Sequence, residues 1–145
     1  MKVFVDTSAW YAVSVSGDRN HAAAVKAFNQ LVGVSLITSD YVLDETLTLV
    51  RMREGHQAAL KIGHTILDSA SVHLERVTID IWKTAWIIFQ NYGDKEWSFT
   101  DCTSFALMDL LKVSKAFALD NNFQQYGKEV VPKIALRSPK ASGKS

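Results

Sequence analysis

Residues Ser98–Phe123 read SFTDCTSFALMDLLKVSKAFALDNNF. The first half opens a helix. Ser98 or Thr100 can cap it, it runs to about Leu111, and Ser98-Phe99-Thr100-Asp101 has the spacing of a capping box with Asp in place of the usual Glu or Gln. Cys102 to Leu107 is poor in charge, so the helix is expected to enter the core nose first, leaving the Asp101 carboxylate pointing outward at its N-terminus. Ala116-Phe117-Ala118-Leu119 is then an apolar run of strand length that stops at Asp120. Asn121 to Tyr126 makes a turn or short helix closed by Gly127.

Working outward, the same shape recurs at the start, where the strand Val3-Phe4-Val5 ends at Asp6 and Thr7-Ser8 can cap a short helix. Between these two strands the spacing predicts a helix from Asn20 to about Leu31, a strand Val34–Thr38, helices Ser39–Arg53 and Gln57–Leu67, a strand Val72–Val77 and a helix from Asp80. Val130-Val131 and Ile134–Leu136 offer a last short strand. Strands alternating with helices predict an α/β fold of three layers, α/β/α, around a central mostly parallel sheet. Residues 1–136 are read as one domain, and 137–145, with Pro139, Gly143 and three basic residues, as a disordered polar tail.

Length and composition agree. The chain has 145 residues, 48% hydrophobic and 21% charged, enough to bury a core. No apolar run approaches the length of a membrane-spanning helix. The single cysteine, Cys102, cannot form an internal disulfide, and Asp6 interrupts what might resemble a leader, so the chain is read as cytoplasmic.

The chemistry is carried by carboxylates. Ligands of open parallel sheets bind at the carboxyl ends of the strands, so Asp6 and Asp120 are candidates to face one another. The competing reading is that each Asp only starts a turn or caps a helix. In the helix from Ser39, Asp40, Asp44, Thr48 and Arg51 line a polar side, whereas Glu45 falls on the stripe of Tyr41, Val42, Leu49 and Met52. A carboxylate there needs a compensating cation, or a place at the stripe's edge where it reaches water.

These features together resemble the PIN-domain nucleases. Asp6-Thr7-Ser8 after the first strand, Asp44-Glu45 early in a mid-chain helix, Phe99-Thr100-Asp101 opening a late helix and Leu119-Asp120-Asn121-Asn122-Phe123 stand in the family's order and spacing over residues 1 to 136. The compact length is similar to the VapC-type toxins of toxin–antitoxin pairs. The resemblance implies a PIN-like fold and a Mg²⁺- or Mn²⁺-dependent ribonuclease. It also implies a cognate antitoxin as partner and a homodimer. Carried over, the acidic quartet is Asp6, Glu45, Asp101 and Asp120, with Thr7, Thr100 and Asn121 as supporting positions.

The donor types point the same way without the family. Carboxylates without a His or Cys cluster favour hard, oxygen-loving cations, and Mg²⁺ keeps waters and pairs with phosphate. Setting the four carboxylates aside leaves 16 basic and 11 acidic residues, a surplus able to attract a phosphate backbone. Two other classes fit part of the pattern: a non-catalytic PIN-like domain that binds RNA or protein, and an aspartate-based phosphatase. The phosphatase requires a second Asp two residues after the first, where Ser8 stands. His21, His56, His64 and His73 match no metal spacing. Trp82, Trp86 and Phe89, at i, i+4 and i+7, are expected to pack in the core rather than form a dimer surface.

Overall fold

A computed structural model describes residues 1–133. The expected strand Ile134–Leu136 and the tail 137–145 lie outside the described residues.

Among the described residues the apolar runs become five strands: β1 (Lys2–Val5), β2 (Ser35–Ser39), β3 (Val72–Glu75), β4 (Lys115–Phe117) and β5 (Glu129–Val131). All pair in parallel, in the order β3-β2-β1-β4-β5. Between them run α1 (Thr7–Ser14), α2 (His21–Gln30), α3 (Asp40–Glu54), α4 (His56–Asp68), α5 (Ile79–Asn91), α6 (Phe99–Leu111) and α7 (Asn122–Tyr126). The expected α/β architecture is thus present, a parallel sheet covered by helices. Parallel strands need crossovers, and helices supply them.

The first strand is the central one. β1 has β2 on one side and β4 on the other, and Val3, Phe4 and Val5 are fully buried. Strand order reverses at this point, which opens a crevice beyond the carboxyl ends of β1 and β4. Phe4 stacks on Phe123 of α7, which meets Phe105 of α6 edge to face. The three rings form an aromatic column joining β1, α6 and α7.

Three expectations are corrected. The cap of α1 is Asp6 rather than Thr7 or Ser8, because the Asp6 carboxylate accepts the Ser8 N–H while its backbone is still extended. The buried face of α3 is Val42, Thr46 and Val50; of the expected stripe only Val42 belongs to it, and Met52 is 79% exposed. Tyr41, Glu45 and Leu49 are half-buried along its edge. On α5 the core face is Ile81, Ala85 and Ile88, while Trp82, Trp86 and Phe89 stay 42%, 45% and 43% exposed. Two apolar stripes run side by side along α5. The smaller aliphatic side chains take the tight packing and the rings are left outside, stacked on one another and edge-on to Phe99.

Gly55 turns α3 back on α4 at φ 97°, a conformation that L side chains rarely adopt.

Candidate active site

Asp6 follows β1 directly and is 2% exposed. Its Oδ2 accepts from the Ser8 N–H at 3.1 Å and from the Ser8 hydroxyl at 2.6 Å. The same Ser8 Oγ accepts the Leu119 N–H at 2.9 Å, so one hydroxyl ties the end of β1 to the chain leaving β4. Asp6 Oδ1 is buried with no hydrogen-bond partner.

Asp101 occupies the third position of α6, and the expected capping box is formed. The Ser98 Oγ accepts the Asp101 N–H at 3.0 Å, and Asp101 Oδ2 accepts the Ser98 N–H at 3.0 Å. Oδ2 also accepts from the Asn122 side-chain amide at 2.9 Å. Asp120 Oδ1 accepts the Asn122 backbone N–H at 3.1 Å, a two-residue Asx turn. Turn and cap are therefore real. They hold the carboxylates in place rather than competing with a role for them.

Electrostatics couple these carboxylates to one another. Burial pushes Asp6 well above the usual carboxylate range, the charges of Asp120 and Asp101 push it further, and the Ser8 donors oppose. Asp101 is raised to about 6, by burial first and also by Asp120 and Glu45, against the Ser98 N–H and the Asn122 amide. Burial raises Asp120 as well, with the Asn122 N–H opposing. Glu45, half-buried at the edge of α3, is near enough for its charge to act on Asp101, while Asp44 beside it is exposed.

The residues that hydrogen-bond the carboxylates are neighbours of the expected supporting positions, not those positions themselves. Thr7 Oγ1 is buried without a partner. Thr100 uses its carbonyl to receive the Thr103 and Ser104 hydroxyls. Among the described residues neither threonine, nor exposed Asn121, hydrogen-bonds a carboxylate of the quartet. Ser8, Ser98 and Asn122 do so instead. The signals for them were the D-x-S and D-x-N spacings, Asp6 to Ser8 and Asp120 to Asn122, in which a backbone N–H two residues on returns to the Asp.

Asp6, Asp101 and Asp120 each have one oxygen engaged by protein donors; the other accepts no hydrogen bond among the described residues. Among the described residues no three His, Cys, Asp or Glu side chains close around a single point as a ready-made metal cage. Mutual repulsion keeps bare carboxylates apart, and Mg²⁺ needs only one or two direct carboxylates, completing its shell with water and phosphate. The orphaned Asp6 Oδ1, the all-oxygen donor set and the raised proton affinities fit a hard divalent cation.

Other nucleophiles are poorly suited. Burial and Asp101 push the Cys102 thiol up to about 11. His21, His56 and His64 bond Ala12 O, Arg51 and Asp68 respectively, outside the quartet. Ser8, standing where the phosphatase reading needs an Asp, is committed to Asp6.

Comparison with known proteins gives a consistent result. The PIN domain profile matches residues 3–129. The chain is 38% identical over 125 residues to the 23S rRNA-specific endonuclease VapC20 of Mycobacterium tuberculosis, in both strain CDC 1551 / Oshkosh and strain ATCC 25618 / H37Rv. The alignment covers 86% of this chain and 94% of the relative. The crystal structure of M. tuberculosis VapC20, described as a sarcin-ricin loop cleaving toxin, superposes with a TM-score of 0.83 at 37% identity, covering 87% of this chain and 95% of that one.

Proposed function

The chain belongs to the PIN domain family, and from that premise we propose that it is a metal-dependent endoribonuclease, the toxin of a toxin–antitoxin pair. The observation that carries this reading is the buried Asp6 Oδ1, left without a partner among three other carboxylates.

Asp6, Glu45, Asp101 and Asp120 are the residues proposed to hold Mg²⁺ or Mn²⁺. Such a cation, when bound, would supply Lewis acidity toward a phosphodiester. Ser8 engages Asp6 Oδ2 and leaves Oδ1 free for the cation. Ser98 and Asn122 do the same for Asp101 by occupying its Oδ2. Burial limits competition from water for these oxygens and strengthens their attraction for a cation.

The substrate is proposed to be structured ribosomal RNA, on the strength of a relative named for its action on 23S rRNA. With that target and an antitoxin partner, the protein is proposed to act in the cytoplasm. The exposed ring stack of α5 supports a homodimer, since contiguous apolar patches of this kind mark protein interfaces.

The test is cleavage of an RNA oligonucleotide bearing the sarcin-ricin loop, alongside a panel of other RNAs, with Mn²⁺ or Mg²⁺ and with chelator. Metal-dependent cleavage that falls at least about a hundredfold in Asp6→Asn is expected. Absence of cleavage on every RNA with either metal rejects the proposal.

A further inference from the structure

Asn122 touches two of the four carboxylates by two different groups. Its backbone N–H donates to Asp120 Oδ1 at 3.1 Å and its side-chain amide donates to Asp101 Oδ2 at 2.9 Å. Its neighbour Phe123 is fully buried between Phe4 and Phe105, so its backbone is anchored in the aromatic column. Asp101 comes from the start of α6 and Asp120 from the chain beyond β4, and these elements meet here through one side chain.

We infer that Asn122 is a positioning residue of the acidic site, a clamp that sets the distance between Asp101 and Asp120 and selects which oxygen of Asp101 is left for a divalent cation. The inference rests on the metal-dependent reading above. Asp101 Oδ2 is occupied by the Ser98 N–H and by the Asn122 amide. The Ser98 N–H lies on Asp101's own helix and constrains it only relative to α6. The Asn122 bond is the one that ties it across to the partner carboxylate. The orientation of the amide is forced, because a carboxylate oxygen accepts only and the carboxamide oxygen cannot donate. Without that donor the Asp101 side chain is free to rotate away from Asp120 to relieve charge repulsion. A cation then has to draw the two together at its own expense.

Residues behind metal ligands typically change metal affinity by about 10- to 100-fold when removed. Asn122→Leu has nearly the same shape and no donor, and keeps the backbone N–H. The measurement is Mn²⁺ binding by isothermal titration calorimetry at a temperature far below melting, with RNA cleavage followed as a function of Mn²⁺. The expected result is Mn²⁺ affinity weaker by about 10-fold or more, with the cleavage curve moved to correspondingly higher Mn²⁺. Asn122→Ser, whose hydroxyl is too short to span the gap, is expected to behave alike and stands in if the leucine variant does not fold. Gln124→Ala, exposed on the same short helix, is expected to bind Mn²⁺ like the parent. A folded Asn122→Leu or Asn122→Ser protein binding Mn²⁺ within twofold of the parent overturns the clamp alone. A parent that binds no Mn²⁺ overturns the metal site, and the clamp with it.

Discussion

Asp101 sits in a folded protein that prefers it protonated up to about pH 6, whereas the unfolded chain releases that proton near the ordinary value of 3.8. Between those two pH values the folded state binds more protons than the unfolded one, so stability falls as pH rises. Asp6 and Asp120 are raised too and act in the same direction. Without divalent metal, thermal melting is therefore expected to drop by several degrees from pH 4.5 to pH 7, and millimolar Mn²⁺ is expected to restore most of that loss at pH 7. A flat profile in calorimetry would contradict the clustered-carboxylate site. Glu45 and Asp44 separate by substitution. Glu45→Gln is expected to lower RNA cleavage at least tenfold with the fold intact, and Asp44→Asn to leave it within twofold. The four acids proposed for the site stand out in the sequence because each follows an apolar strand or sits in an apolar setting. Ser8 and Asn122 do not stand out, because a polar residue two positions after an Asp is common in any turn. Only the fold shows that their second hydrogen bonds reach Leu119 and Asp101.

α3 illustrates how far periodicity carries. The helix and its limits follow from Ser39 as cap and Gly55 as stop, and both are observed. Its buried face does not follow, because Tyr41, Leu49 and Met52 are as apolar as the residues that are buried. The selected face includes a threonine, Thr46, fully buried with an unpartnered hydroxyl. Replacing that hydroxyl by a methyl of similar shape relieves the cost of burying it, so Thr46→Val is expected to stabilise the protein by about 1 kcal/mol. For a chain of this size that raises the melting temperature by about 2–4 °C. A lower melting temperature would mean the hydroxyl has a partner. α5 teaches the same point in reverse. Its amphipathic spacing was evident, yet two apolar stripes competed for the inside, and only the shape of the α5–α6 contact decides for Ile81, Ala85 and Ile88.

The exposed rings Trp82, Trp86 and Phe89 have a measurable consequence for assembly. Sedimentation is expected to show a dimer at micromolar concentration that becomes monomeric in Trp86→Glu, with circular dichroism unchanged. A monomeric parent would remove the homodimer. The order of the sheet sets a timing for the whole fold. β1 is made first and sits in the middle, but its second neighbour, β4, begins at Lys115. At a synthesis rate of about 5–20 residues per second, Asp6 waits roughly 6–23 seconds for Asp120 to be made. Synthesis alone therefore builds in a delay: a nascent chain carries Asp6 well before Asp120, so with the proposed quartet activity against RNA begins only after both have been translated.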